Sequence, residues 1–416
     1  MKKVFLILFV LLLTFSFAKI KIVFWTAPNP DVETFWKQVV AEYEQLYPDI
    51  DIEWTTIPAV GSSEEAILNA IAAGEAPDIC TNIFSGFAAQ LIELDQLVDL
   101  SKLPGFDGLL KKRNMENIIK GWEFNGKSYV FPIYTNPILV WWRKDILEKY
   151  GWKIPPRTYS DVYEFAKQFS IPNKKYAMKL YAGKNWWDRW FDYISYYYAA
   201  SDGKPYIDTK NNKAIFDNDA GLDVAKFFET MFKNRWSAVD LGKDPFFTGS
   251  VAGGLKGPWT LSYAQIHYPD IIKDIIITPP LVPDNYPKDK SIHTFADTKG
   301  LVIFKSSKHQ KEAWEFVKWV FSHSEYDKLW IELTKQPPAR EDLLTNDLFA
   351  KFFEKNPLVA KYAEYVGYAV PPALTSKTVE VQDEMGVSLL EPIIYGKTNA
   401  ERAIKNAVKN INRLLW

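Results

Sequence analysis

The chain has 416 residues, 47% hydrophobic and 24% charged. That length suits two large domains, and the composition excludes a disordered chain and a multi-spanning membrane protein. Lys and Arg number 50 against 51 Asp and Glu, so the net charge of −1 supplies no global field toward nucleic acid or anionic lipid, and no nucleic-acid partner is expected. The single cysteine, Cys80, rules out an internal disulfide and a thiolate-rich zinc site. Aromatic residues reach 16%, with 16 tryptophans among them, and such rings serve either as core bulk or as flat binding surfaces.

Lys2 and Lys3 precede an apolar run from Val4 to Leu13 that continues to Ser16-x-Ala18. This is the charged start, short apolar stretch and small-residue exit of a secretory signal peptide over residues 1–18. The run falls short of the roughly 20 residues of a spanning helix, and an uncleaved anchor is the competing reading. No cysteine follows it, so no lipoprotein anchor is expected there. A periplasmic or extracellular location follows. ATP and nicotinamides are scarce there, so no cofactor is expected, and the usual occupants are hydrolases and solute-binding proteins.

Ile20 to Trp25 reads as a buried strand. A helix follows, with Asn29 as N-cap, Pro30 at its first position and apolar residues from Val32 to Leu46 at helical spacing, ending before Pro48. Ile50, Ile52 and Trp54 alternate with charged residues as in a strand. Ser62 and Glu65 form a capping box for a helix that closes at Gly74, and Pro77 to Cys80 opens another strand. The β-α-β-α-β order predicts a doubly wound parallel sheet. Pro132 and Pro137 bracket an extended stretch predicted to cross to a second domain. Helices are predicted at 158–169, with Thr158 and Asp161 as caps, and at 219–232. Ile275 to Pro283 reads as extended and as leading into a second crossover, because Pro279, Pro280, Pro283 and Pro287 cannot occupy a central strand. After a strand at 300–304, Ser307 and Gln310 are predicted to cap a helix, Pro337-Pro338 marks a third crossover, and Thr398 and Glu401 are predicted to cap the last helix.

Several signals for chemistry fail on context. Residues 121–128, from Gly121 to Gly126-Lys127-Ser128, satisfy G-x-x-x-x-G-K-S, yet no helix follows, and Asn125-Gly126 is a hairpin-turn signal. His267, His293, His309 and His323 show no metal spacing, and there is no G-x-S-x-G elbow. A glycoside hydrolase stays open, because its two carboxylates leave no local signature.

Six segments, in order, resemble family-1 extracellular solute-binding proteins of ABC importers, the group that includes maltose-binding proteins. Ala72-Ala73-Gly74-Glu75-Ala76-Pro77-Asp78-Ile79 is similar to A-x-G-x-x-P-D-I/V, and Val98-Asp99-Leu100 to a V-D-L turn. Asn125-Gly126-Lys127-Ser128-Tyr129-Val130-Phe131-Pro132 matches N-G-K-x-Y-x-x-P, which accounts for the false phosphate loop. Trp141-Trp142-Arg143-Lys144-Asp145-Ile146-Leu147, followed by Gly151 and Pro155-Pro156-Arg157-Thr158-Tyr159, is similar to Y-Y-N-K-D-x-L/F, G and P-P-x-T-W. Phe247, Gly249 and Gly257-Pro258-Trp259 resemble F-x-x-G-x-A-x-x-x-x-G-x-W, and Gly396-Lys397 with Ala403 is similar to the C-terminal G-K-x-x-x-E-x-A. The departures are Arg143 for Asn, Trp141-Trp142 for tyrosines and Gly253 for alanine.

The resemblance implies an α/β, periplasmic-binding-protein-like clamshell: two doubly wound α/β lobes joined by a three-segment hinge. The expected lobes are 19–132 plus 288–336 and 133–287 plus 337–416. It implies a non-enzymatic monomer that closes on a mono- or oligosaccharide and delivers it to the membrane permease subunits of an ABC importer whose ATPase is a separate chain. Sugars pair apolar C–H faces with hydroxyl edges. The expected contacts are therefore Trp25 at a strand end, Asn82, Ser85, Asn136, Trp186, Trp187, Trp259 and Tyr368. Asp78 is expected to be structural. The alternatives are the exported glycoside hydrolase and a binding protein for a phosphorylated or charged solute anchored by Arg143 and Arg189.

Overall fold

The computed structural model describes residues 19–59, 62–182 and 186–416, the side chains of 186–189 excepted. The predicted signal segment 1–18 lies outside the described residues. The order predicted at the start of the chain is observed: β1 (Ile20–Thr26), α1 (Pro30–Leu46), β2 (Ile50–Thr56), α2 (Ser63–Ala73), β3 (Ile79–Ile83) and α3 (Ser85–Glu93). Each boundary has a local cause. Asn29 Oδ1 accepts from the amides of Asp31 and Val32 at 3.0 and 3.3 Å, and Ser62 Oγ accepts from Glu65 N at 3.1 Å. Gly74, at φ 74°, takes the left-handed cap that ends α2. Asp78 Oδ2 accepts from Val23 N at 2.7 Å, which makes it the structural residue expected.

β1 pairs parallel with β2 from Ile20↔Ile50 to Thr26↔Thr56 and with β3 at Phe24↔Ile79. Apart from two short two-stranded ribbons at 123–128 and 207–214, the further strands are β4 (Phe131–Pro137), which runs directly into β5 (Leu139–Arg143), then β6 (Tyr176–Lys179), β7 (Val251–Lys256), β8 (Ile275–Thr278), β9 (Thr294–Ile303) and the short β10 (Ala369–Val370). The first sheet has the order β10-β9-β3-β1-β2 with β4 on β9, and a second has the order β8-β5-β7-β6. Three apolar cores follow these sheets. One joins Ile22, Phe24, Trp36, Ile79 and Phe316, a second joins Trp142, Phe165, Tyr193, Phe228 and Ile404, and a third fills the other face of the second sheet through Trp141, Phe247, Phe349 and Tyr362. The result is two α/β lobes, each with its own interior, and most of the aromatic surplus is core.

Three extended segments run side by side between the lobes. β4 lies antiparallel on β9, with Asn136 opposite Asp297 and Thr135 opposite Thr298. The Pro337 segment joins them, Thr135 N donating to Pro337 O at 3.0 Å and Ala339 N to Ile133 O at 2.9 Å. The second crossing falls later than the prolines suggested. Pro279 to Pro287 forms a loop that stays on the second lobe, where Val282 exchanges backbone bonds with Arg157 and Tyr159, and Ile292 and Phe295 also pack on that side. The proline run marks a loop wrapped over a helix N-terminus, and the chain crosses in β9.

Two other caps differ by a residue or two. The helix Gln310–Ser322 begins at His309, with Ser307 Oγ accepting from His309 N, and the last helix, Ala400–Leu414, is capped by Asn399 instead of Thr398. The false phosphate loop is the expected hairpin, with Asn125 and Gly126 both at positive φ.

A buried charge network fixes the crossings. Asp327, on the helix Ser324–Thr334, accepts from Arg113 Nη2 at 2.8 Å and from Arg340 Nη1 at 2.9 Å, with all three side chains at 3% exposure or less. Arg113 also donates to the carbonyls of Pro132 and Ile133 at 2.7 Å each, and Arg340 grips Asp342 with two bonds of 2.8 Å. The first and third crossings are thereby tied to one carboxylate.

Two of the departures from the family pattern explain each other. Trp142 and Gly253 are opposite one another on β5 and β7, and a Cβ at Gly253 would stand 2.6 Å from Trp142 Cε3. The larger ring at 142 occupies the volume that an alanine at 253 would need.

Candidate functional site

Gly257 carries no side chain, and Trp259 uses that space. A Cβ at 257 would meet the indole of Trp259 at 2.1 Å, so the ring folds back over the end of β7 with 41% of its surface exposed. On the other side lies the long helix Trp186–Ser201, which brings Trp190 and Phe191 edge-on to Phe295 of β9, with centroids 5.2 and 5.1 Å apart.

Two cavities meet at these rings. One, of about 290 Å³, is walled by Tyr181, Phe191, Leu255, Lys256, Gly257, Trp259 and Thr260. The other, of about 250 Å³, is also walled by Phe191 and Trp259, and adds Glu64 and Phe84 from the first lobe, Asp297 and Lys299 from β9, and Pro372 and Gln382. Sharing two rings, they form one trough between the sheets, apolar on its floor with a few polar groups at its sides, which is the usual composition of a small-molecule site. Larger cavities of about 450 Å³ each draw on the second lobe alone.

Electrostatics vary along the trough. Burial and the nearby Lys179 ammonium lower Lys256 to about 8, against the pull of Asp192 and Asp244. The Lys256 ammonium stands over the rings of Phe246, Phe247 and Trp141 at 5.5, 5.8 and 6.0 Å. At the other end the wall carries the carboxylates of Glu64 and Asp297 beside Lys299.

Of the residues expected at the site, Trp259 stands in both walls. Trp25 is half-buried at the end of β1 and packs on the first core. Asn82 takes φ 65° after β3 and donates to Ser63 Oγ at 3.2 Å. Ser85 is fully buried and donates to Pro372 O at 3.1 Å, so it fastens the two lobes beside the second cavity. Asn136, at 1% exposure, donates to Gln336 Oε1 at 2.8 Å and so links the first crossing to the third. Tyr368 is 39% exposed and meets His293 edge-on at 5.7 Å. None of these five belongs to either wall. Trp186 and Trp187 begin the helix whose next turn supplies Trp190 and Phe191, and their side chains lie outside the described residues, as does that of Arg189.

Arg143 is corrected. At 7% exposure its guanidinium is taken up by Asp145, at 2.8 and 2.7 Å, and by the carbonyls of Phe246 and Phe247, so it holds a loop and anchors no solute. Phe84, Trp190, Phe191, Glu64, Lys256 and Asp297 were missed. Phe84 directly follows the strand-end positions already suspected, and Lys256 adjoins the Gly257-Pro258-Trp259 element, so position carried a signal for both. Trp190 and Phe191 lie one turn beyond the expected Trp186 and Trp187, and Glu64 and Asp297 had no signal.

The bacterial extracellular solute-binding protein family model matches residues 27–326. The chain belongs to that family. This solute-binding protein is 24% identical over 363 residues to the maltotriose-binding protein of Pyrococcus abyssi, covering 84% of this chain and 72% of that one. An uncharacterised protein of Listeria monocytogenes, known from a crystal structure, is 33% identical, superposes with a TM-score of 0.88 and covers 96% of this chain and 100% of its own. The cyclic α-maltosyl-1,6-maltose binding protein of Arthrobacter globiformis shares the fold, with a TM-score of 0.81, 17% identity and coverage of 95% and 99%. The family is one of extracellular binding proteins, and the Pyrococcus and Arthrobacter relatives are named as binding proteins.

Proposed function

We propose that this protein captures a carbohydrate in the trough between its lobes and passes it, by lobe closure, to the permease of an ABC importer. The observation that carries this reading is the trough itself. Exposed Trp259 and half-buried Phe191 offer flat faces for the C–H surface of a sugar ring, while Glu64, Asp297, Lys299 and Gln382, drawn from both lobes, stand where hydroxyls would meet them. Maltotriose and cyclic maltosyl-maltose in the names of similar proteins support the same ligand class.

Lobe closure is the mechanism this reading requires. A solute that touches Trp259 on one lobe and Glu64 on the other binds the closed form better than the open one, and that difference shifts the equilibrium. Taking such an equilibrium from 1:99 to 99:1 needs roughly 5.5 kcal/mol of differential binding. Ring stacking and several hydrogen bonds supply energy of that order. In this reading the lobes divide at the three crossings, the protein acts as an exported monomer, and the ATPase resides on another chain.

Titrating intrinsic tryptophan fluorescence with neutral and acidic mono- and oligosaccharides tests the reading. Saturable binding that is lost in Trp259→Ala supports it. Net hydrolysis of a saccharide would instead give Glu64 and Asp297 the roles of a glycosidase pair.

A further inference from the structure

Inside this protein, buried cations have carboxylate partners. Arg113 and Arg340 share Asp327, and Arg143 holds Asp145. Lys256 departs from that rule. It is half-buried and, among the described residues, is the one charged residue in the wall of the 290 Å³ cavity and has no carboxylate within ion-pair distance. The acids that act on it from further off are engaged elsewhere. Asp192 Oδ2 accepts from Tyr181 N at 2.9 Å, and Asp244 accepts from the hydroxyls of Tyr263 and Tyr268 at 2.9 and 2.8 Å.

A second cation compounds the effect. Lys179 ends β6 opposite Gly254, two residues before Lys256 on β7, and its ammonium stands 4.2 Å from the ring of Tyr181, itself a wall residue. Two like charges on adjacent strands, Lys256 in the trough wall and Lys179 behind it, repel each other, and an anion drawn to Lys256 relieves both. The trough's carboxylates, Glu64 and Asp297, belong to the other cavity, so the trough is polar along its length.

We propose that the trough selects an acidic saccharide, its sugar face on Trp259 and Phe191 and its anionic group, a uronic carboxylate or a phosphate, directed to Lys256 and Lys179. This rests on the carbohydrate reading above and narrows it. The Lys256 ammonium meets the faces of Phe246, Phe247 and Trp141 but no carboxylate, and burial with Lys179 lowers it, which makes the preference fall as pH rises through about 8.

The test is calorimetric titration of the full chain with matched pairs: galactobiose against digalacturonate, xylobiose against its glucuronic-acid-substituted form, and glucose against glucose 6-phosphate. A charge-assisted contact of this kind is expected to favour the acidic member by about tenfold or more. Lys256→Met should bring the two members of a pair to within about threefold, whereas Lys256→Arg, which keeps the charge, should retain the preference. Digalacturonate and glucose 6-phosphate distinguish the carboxylate from the phosphate. Equal or tighter binding of the neutral members overturns this inference and leaves the carbohydrate reading standing. A preference that survives in Lys256→Met overturns the role of Lys256. Absence of binding to every saccharide overturns both.

Discussion

Changing Asp327 to Asn removes one charge from the network that fixes the crossings and keeps its shape. In the native protein Asp327 accepts from Arg113 at 2.8 Å and Arg340 at 2.9 Å, with 3%, 0% and 2% of the respective side chains exposed. An asparagine there would turn an NH₂ donor toward a guanidinium or leave it half-matched. Arg340 would retain both bonds to Asp342. Arg113 would keep neutral partners, the carbonyls of Pro132 and Ile133, Met115 Sδ and the amide oxygen at 327, and the faces of Phe321 and Phe131, but no directly paired carboxylate. Burial already lowers the Arg113 pKa, with Asp327 as the main opposing influence. Breaking a buried pair costs about 3–5 kcal/mol, because a charge is left uncompensated. With Asp342 sparing Arg340, the lower half of that range is expected here, a large part of a domain's roughly 5–15 kcal/mol. Guanidinium unfolding followed by tryptophan fluorescence and by circular dichroism would report it, with the two probes separating the lobes if they unfold apart. Leu at 327 combined with Met at 113 should recover much of the loss, since well-packed apolar substitutes for buried pairs are often neutral. A loss below about 1 kcal/mol for Asp327→Asn would refute the view that this network anchors the crossings.

Gly253→Ala should destabilise the second lobe by about 1–3 kcal/mol through overpacking against Trp142, and Trp142→Tyr in the same chain should return most of it, as a double-mutant thermal unfolding cycle would show. Trp259→Ala should weaken solute binding by more than about tenfold with little change in melting temperature, since its exposed ring contributes little to the core. Burial raises the Asp342 pKa, but the bonds and charge of Arg340, together with the hydrogen bond from Asn346, more than offset it and leave it depressed. Its stabilisation is therefore present above the unfolded value of about 3.9 and is lost as pH falls through the lower folded value. Asp342→Asn should consequently flatten the acid limb of a stability–pH curve. Asn136→Ala removes the bond to Gln336 between crossings, and small-angle scattering should show a changed open–closed balance while ligand chemistry preference stays the same.

Much of the fold was legible because its causes are local. The caps at Asn29, Ser62 and Thr158, the left-handed Gly74 and the Asn125-Gly126 turn are all decided within a few residues, and they stand where patterning placed them. The second crossing was misplaced because proline reports only that a strand interior is forbidden. Whether the chain then crosses or folds back depends on a long-range partner, here the helix start at Thr158 and Tyr159. The trough was the least legible part. Trp259 carried a motif, but Phe191 and Asp297 become neighbours of it only through the packing of the helix Trp186–Ser201 on β9. Asn136 and Ser85 were suspected for their polarity, and their hydrogen bonds turn out to join parts of the protein to one another.

If Trp259 and its neighbours hold a saccharide between the lobes, fluorescence titration of the full chain and of Trp259→Ala with one saccharide panel will show it. At least one saccharide should saturate the native protein below about 1 mM and be recovered intact, and that response should be lost in the variant. Failure of every saccharide to bind below that concentration, or equal binding by the variant, would contradict it.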